Sequence, residues 1–326
     1  MEKRHLGRTG LQVSRLGLGT MTWGRDTDEQ EAAEQLKEFV DAGGNLVDTA
    51  DVYADGDAEY LLSRLTESLV PRSELVIATK AGSVPACGRR FDGSRGHLLA
   101  ALDASLRRLG TDYVDFWQVH AFDPATPVEE TLSALDIAVS SGRARYVGVC
   151  DFSGWQLAKA ATWQHAHHGR VPLAGAQLEY SLLQRGIERE ALPAARDAGV
   201  GLLAGSPLGR GVLTGKYRHG LPQDSRGASP SLSGFVQPYL GERARRIVDA
   251  VATAADGLAS SPLAVALAWV RDRPGVASAL VGARTAGQLQ AALSVEALTL
   301  PEEIRGALDD ISAPVHRYPD QGWSEL

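Results

Sequence analysis

The chain has 326 residues, 44% of them hydrophobic, which is enough to bury a full core, and α/β barrels of this length commonly form one domain, here 1–326. A formal net charge of -7 and a pI near 5.7 argue against a nucleic-acid partner, whose phosphates select basic surfaces, and point to a small molecule. Cys87 and Cys150 are far apart and lack a CxxC or histidine-rich neighbourhood, so neither a disulfide framework nor a metal site is expected, and a reducing cytoplasm fits. The N-terminus leads into polar, glycine-rich sequence and no stretch of about 18 apolar residues follows, so neither secretion nor a membrane is expected.

Residues 4–14 alternate around Thr9-Gly10 and read as a small β-hairpin placed to close the bottom of a barrel. A strand over 15–20 comes next, then a helix over 28–42 with Ala32, Leu36, Phe39 and Val40 on one side and Gly43-Gly44 as its stop. Strands at 45–50, 75–80, 113–120, 144–150, 175–180 and 200–205 alternate with helices at 57–69, 94–109, 129–141, 154–168 and 188–198. Such alternation implies parallel strands joined by right-handed crossovers. The rhythm breaks at 218–238, where Gly, Pro, Ser, Gln and Asp dominate, which suggests a functional loop or lid. Helices near 240–258 and 262–272, a strand at 277–281 and a helix at 285–296 complete eight strand–helix units counted from Leu16. The fold expected is therefore a (β/α)8 TIM barrel with an N-terminal β-hairpin. A doubly wound sheet is disfavoured because Gly17-Leu-Gly19-Thr-Met-Thr-Trp-Gly24 only imitates the GxGxxG fingerprint. The tail from Pro301, with His316, Tyr318 and Trp323, either packs on the barrel or reaches over its mouth.

Three of these strands end on an ionisable residue: 45–50 carries Asp48, 75–80 ends at Lys80 and 113–120 ends at His120, while Tyr53 follows Asp48 by five residues. Strand ends converge on one face of a barrel, where active sites are built. A phenol is a weak acid at neutral pH, and a nearby ammonium would lower its pKa. On this reading Lys80 makes Tyr53 acidic, Asp48 holds the lysine charged, and a neutral His120 donates to a carbonyl oxygen. No side chain supplies a hydride, so a nicotinamide cofactor is required.

Asp48-Thr-Ala-Asp-Val-Tyr53, Ala78-Thr-Lys80, the run Ser105-Leu-Arg-Arg-Leu-Gly-Thr-Asp-Tyr-Val-Asp115 leading to His120, and Gly211-Val-Leu-Thr-Gly-Lys-Tyr217 together resemble the aldo-keto reductase superfamily, from about Arg4 to Leu298. The likeness is strongest to bacterial reductases allied with potassium-channel β-subunits. It implies a barrel that uses NADPH to reduce aldehydes and ketones, with a catalytic tetrad on Asp48, Tyr53, Lys80 and His120. It places Thr20 and Met21 near the nicotinamide ribose, and Cys150, Asp151 and Gln177 at the carboxamide. It lays Ser206, Pro207, Leu208, Gly209 and Arg210, with Lys216 and Arg226, over the pyrophosphate, where glycine admits backbone N–H groups and cations offset charge. Gly282, Arg284 and Gln288 fall at the adenosine 2′-phosphate, with Arg284 as its forked partner, and NADH stays open as the alternative cofactor.

Three positions depart from the family's pattern. Cys150-Asp151 stand where Ser-Asn is usual, Gly205 where an aromatic stacks on the nicotinamide, and Ala292 where an asparagine contacts adenine. Trp23, Tyr53 and His120 are the expected substrate contacts, with Val84, Phe91, Phe122 and Trp323 as further aromatic or apolar candidates near the mouth. Cys87 is either inert or a pocket-lining residue, and His165, His167 and His168 read as a surface helix end. A monomer acting on a small-molecule carbonyl compound is the default, with an oligomer as the alternative. Two alternatives are carried: a cofactor-sensing module resembling a channel β-subunit, and a lyase or aldolase with Lys80 as Schiff-base nucleophile.

Overall fold

A computed structural model describes residues 1–84, 90–223, 225–229 and 233–314. Two short antiparallel strands, β1 (Lys3–His5) and β2 (Gln12–Ser14), form the hairpin, with Arg4 opposite Val13. Its turn slides under the barrel: Leu6 is fully buried with Phe116, Leu203 and Leu280, and Arg8 donates its backbone N–H to Gly199 O at 2.8 Å. Gly7 makes this approach feasible, because it has φ +60° and a Cβ there would lie 2.5 Å from Gly199 O.

Eight parallel strands then close a barrel: β3 (Leu16–Gly19), β4 (Leu46–Asp48), β5 (Val76–Ala81), β6 (Val114–Val119), β7 (Ala144–Cys150), β8 (Gly175–Glu179), β9 (Gly201–Gly205) and β10 (Val276–Gly282). β10 pairs with both β9 and β3, so no edge is left open. The register sets the rim. Asp48 stands beside Gly19, Lys80 beside Gln118, Cys150 beside Gln177, and Glu179 beside Gly205. Polar side chains from several strands therefore meet at one end without any long-range coincidence in the chain.

Helices α1 (Glu29–Asp41), α2 (Asp57–Ser68), α3 (Arg95–Leu109), α4 (Val128–Ser140), α5 (Gly154–Ala166) and α6 (Ala191–Asp197) cover the first part of the barrel. Their ends follow local chemistry. Asp28 caps α1 by accepting from the Glu31 N–H, Ser153 and Gln156 form a reciprocal capping box on α5, and Gly110 at φ +61° closes α3. The interior face of α1 presents Ala32, Leu36 and Phe39, three of the four residues its spacing had marked, while Val40 is only half-buried.

After β9 come a short α7 (Ser233–Val236), α8 (Glu242–Gly257), α9 (Pro262–Arg271), α10 (Ala286–Leu293) and α11 (Glu302–Ser312). The segment 218–238 is thus not structureless, since it also holds 3-10 turns at Arg226–Ala228 and Gln237–Tyr239. Turns of three or four residues are too short to carry a visible period. The described part of the tail packs on the barrel wall: Leu308 is buried, and Asp309 accepts from the Trp269 indole N–H at 2.9 Å and from Arg273. His316, Tyr318 and Trp323 lie outside the described residues, as do Cys87 and Arg89. Among the described residues no single helix is long and apolar enough to cross a membrane.

Candidate active site

Asp48 ends β4 and Lys80 sits near the end of β5, so their side chains enter the same buried layer. The Lys80 ammonium is fully buried and donates to Asp48 Oδ2 at 2.7 Å, to the Thr49 carbonyl at 2.8 Å and to the Tyr53 hydroxyl at 3.5 Å. Burial works against its charge, but the Asp48 carboxylate outweighs that cost, with help from Tyr53, and its pKa rises. A lysine whose charged form is favoured in this way is a poor Schiff-base nucleophile, which argues against the lyase reading.

Tyr53 is carried by a strained turn. Ala54 and Asp55 have φ +49° and +55°, and Gly56 at +99° starts α2. The Arg108 side chain lies against that glycine, bonded through Nε to Glu59 Oε2 at 2.7 Å, while the Thr79 hydroxyl donates to Glu59 Oε1 at 2.6 Å. A buried ionic brace thus ties the tyrosine turn to α3 and β5. The contact of Tyr53 with Lys80 meets one expectation, and the electrostatics of the phenol correct another. Tyr53 does meet Lys80, but its pKa is pushed up to about 12, because burial outweighs the attraction of Lys80 and Asp48 opposes ionisation. The resting phenol is therefore neutral and not acidified.

His120 follows β6, its N–H donating to Ala81 O at 2.8 Å, and its ring meets Tyr53 edge to face with centroids 6.3 Å apart. Burial, reinforced by the Lys80 charge, lowers its pKa to about 3, so the imidazole is neutral. Nδ1 is sealed without a partner, and orphaned buried lone pairs are tolerated better than orphaned N–H groups, which puts the proton on Nε2 at the cavity side. A further chain steadies Asp48: Gln177 Nε2 donates to its Oδ1 at 2.9 Å, Gln118 approaches the same oxygen at 3.5 Å, and the Cys150 thiol donates to Gln177 Oε1 at 3.9 Å. Burial, followed by the charge of Asp151, raises the Cys150 pKa, so this thiol is inert.

These groups open into a cavity of about 760 Å³. Asp48, Tyr53, His120, Cys150, Asp151 and Gln177 line it, as do Met21, Ser206, Pro207, Leu208, Arg210, Lys216, Arg226, Gly282, Arg284 and Gln288. Four expected residues do not reach it. Lys80 stands behind Tyr53, and Gly209 is buried in the turn with its N–H on Ser206 O at 2.8 Å. Thr20 is buried and braces the Asp48 carbonyl through both its N–H, at 2.9 Å, and its hydroxyl, at 3.2 Å. Trp23 is a correction: its turn folds inward, leaving the indole fully buried and donating to Gln35 Oε1 at 3.0 Å, so it is a core residue and not a substrate contact.

Arg210 also differs from the clamp expected of it. Its guanidinium forms a two-point pair with Glu179 at 3.1 and 2.6 Å, donates to Phe235 O at 2.7 Å and stacks on the Phe235 ring at 3.8 Å. Its charge is therefore met within the protein. Gly205 leaves space, since a Cβ there would meet nothing closer than 3.5 Å. Glu179 and Phe235 line the cavity and were missed as functional positions, although Glu179 lay within the Gln177–Ser181 run. Phe122 meets Phe152 and Trp155 edge to face, with ring centroids 5.4 and 5.5 Å apart, outside the residues that line the cavity.

The other end of the cavity is cationic. Arg226, from the loop after β9, and Arg284, after β10, converge, and the Arg226 pKa is lowered by burial and next by the Arg284 charge. Two guanidiniums that repel each other in an enclosed place suit a phosphate, and α10 begins beside them with Gly287, whose missing side chain leaves open space. A left-handed run at Gly209, Arg210 and Gly211 bends the preceding loop along the cavity wall. A long anionic cofactor fits this donor set.

The sequence model describing the Aldo/keto reductase family matches residues 15–313. The chain is 36% identical over 330 residues to the uncharacterized oxidoreductase YrpG of Bacillus subtilis (strain 168), covering 95% of this chain and 96% of that one. It is 37% identical over 332 residues to a probable voltage-gated potassium channel subunit beta of Oryza sativa subsp. japonica, covering 98% of each. It is 36% identical over 299 residues to the L-glyceraldehyde 3-phosphate reductase of Escherichia coli (strain K12), covering 89% of this chain and 86% of that one. Matched in sequence over nearly its whole length, and folded as a closed barrel with polar groups gathered at one rim, the chain belongs to the aldo/keto reductase family of oxidoreductases.

Proposed function

We propose that this protein is an NADPH-dependent reductase that converts aldehydes or ketones to alcohols, with Tyr53 as general acid. The observation that carries the reading is the 3.5 Å contact of the Tyr53 hydroxyl with an ammonium already fixed by Asp48, in the wall of a cavity with a cationic far end. A bound reduced nicotinamide supplies the hydride. Neutral His120 donates from Nε2 to the carbonyl oxygen and sets its position beside Tyr53. As that oxygen gains charge, Tyr53 passes it a proton, and Lys80 stabilises the phenolate left behind. Asp48 keeps Lys80 from donating its own proton. Arg284 and Arg226, with Lys216 along the wall, suit the phosphates, and Arg284 favours a 2′-phosphorylated cofactor. NADH would use the same cavity without that contact.

The likeness to a channel β-subunit supports a second reading, a cofactor-sensing module with weak catalysis. His120 beside Tyr53 favours the enzyme. Tyr53→Phe decides between them: it should keep NADPH binding and lower carbonyl reduction by about 10²-fold or more. Undiminished reduction by that variant refutes Tyr53 as the acid. Tight NADPH binding by the unaltered protein with no turnover across a panel of aldehydes and ketones refutes the reductase.

A further inference from the structure

Of three carboxylates around the inner end of the cavity, two are already balanced. Asp48 is met by Lys80 at 2.7 Å, and Glu179 by Arg210 at 2.6 Å with the Tyr239 hydroxyl adding a bond at 2.9 Å. Asp151 is the exception. It follows β7 directly, has left-handed backbone at φ +53°, which aspartate tolerates, and donates its N–H to Gln177 O at 3.0 Å. That bond fixes it on the same wall as Cys150 and Gln177. Among the described residues its carboxylate has neither a hydrogen bond nor an ion pair. It is the surplus negative charge of this end.

We infer that Asp151 biases the site toward the oxidised, cationic form of a nicotinamide over the neutral reduced form. The inference rests on the function proposed above, which puts the hydride-donating ring at the Tyr53–His120 end and the phosphates at the Arg226–Arg284 end. The two cofactor forms differ there by one positive charge on the ring. Asp151 is exposed on this wall, and a ring seated against it would displace the water that screens its carboxylate, so the two charges would interact more strongly than in bulk solvent. The other charges facing Asp151, Glu179 on β8, Lys80 on β5 and Arg210 after β9, are held in pairs and do not distinguish the two forms. Burial, followed by the Glu179 charge, raises the Asp151 carboxyl's pKa, as expected of a group that lacks a partner. Asparagine at this position could donate to a carboxamide but would carry no charge, so the aspartate trades a donor for a field.

The test is a pair of fluorescence titrations of the full chain at pH 8, with NADP⁺ and with NADPH, in the unaltered protein and in Asp151→Asn. The ratio of the NADP⁺ to the NADPH dissociation constant should rise about tenfold or more in the variant, because only the cation loses a partner. Asp151→Glu should leave the ratio near its original value, and Asp151→Ser should repeat the asparagine result if that variant fails to fold. Adenosine 2′,5′-bisphosphate, which lacks the ring, should bind all of them alike. Both forms binding with a ratio unmoved within twofold overturns this inference and leaves the proposed function standing. Neither form binding the unaltered protein overturns both.

Discussion

Asp51 lies between Asp48 and Tyr53, and Asp51→Asn should change the pH dependence of stability in a calculable way. Its Oδ1 is sealed without a hydrogen-bond partner, and its pKa is pushed from 3.8 to about 7 by burial and then by Glu59, against the pull of Arg108, the Val52 N–H and Lys80. A folded pKa above the unfolded one means that the folded protein holds more protons between those values, so stability falls as pH rises from near 4 to about 7. The full displacement corresponds to ~4 kcal/mol, of which roughly 3 kcal/mol falls between pH 5 and pH 8. An asparagine does not titrate. It leaves a buried amide short of a partner, a constant cost of about 1 kcal/mol, but removes the pH-dependent part. The thermal midpoint of the variant relative to the unaltered protein should therefore climb by ~6 °C from pH 5 to pH 8, at about 2 °C per kcal/mol for a chain of this size. Differential scanning fluorimetry at matched ionic strength measures it, with other titrating groups cancelling in the comparison. A gap that stays constant with pH, or narrows toward pH 8, would show that Asp51 is ionised at ordinary cost and refute the argument.

Arg284→Ala should weaken NADPH binding by about tenfold to a hundredfold and leave NADH binding nearly unchanged, as removal of one phosphate-directed charge requires, and parallel fluorescence titrations read both. Carbonyl reduction measured as kcat should be nearly flat from pH 6 to pH 9, because Tyr53, at about 12, stays protonated and His120, at about 3, stays neutral throughout. Alcohol oxidation, which needs the phenolate, should rise with pH over the same range. A loss of reduction as pH passes 8 would place the Tyr53 pKa far lower.

The positions of Asp48, Lys80 and His120 were legible because a parallel barrel sends every strand's C-terminal end to one rim, so strand ends are enough to predict neighbours. The hairpin was legible for a similar reason, its alternation being local. Trp23 was not. A residue in a loop after a strand faces the cavity or the core according to turn geometry, and the bonds of the Trp23 N–H to Thr20 O and of the Gly24 N–H to Thr27 O, which turn it inward, leave no mark in composition. Arg210 was misread for a different cause: its neutralisation by Glu179 joins residues 31 apart, and spacing cannot report such a pair. The brace of Glu59, Arg108 and Thr79 under the tyrosine turn was hidden in the same way. α11 escaped notice because its inward face is held by Asp309 and Ser312 bonding to Arg185 as much as by Leu308.

The raised pKa of Tyr53 changes what Lys80 is for. If the ammonium's task were to ionise the phenol at rest, burial would defeat it, since the phenol is harder to ionise here than in water. A proton donor for reduction has the opposite requirement: it must hold its proton until the carbonyl oxygen becomes basic, then survive losing it. Burial meets the first condition, and an ammonium within hydrogen-bond reach meets the second, because its attraction for the hydroxyl oxygen grows as charge develops there. If Tyr53 is the acid as proposed, that would stabilise the transition state without stabilising the ground state. On the proposed mechanism Asp48 completes the arrangement, since its bond to Lys80 keeps the charge there and leaves the phenol as the proton source. By that mechanism the reverse reaction passes through the same phenolate, so the raised pKa sets how alcohol oxidation depends on pH while the overall equilibrium still sets its direction.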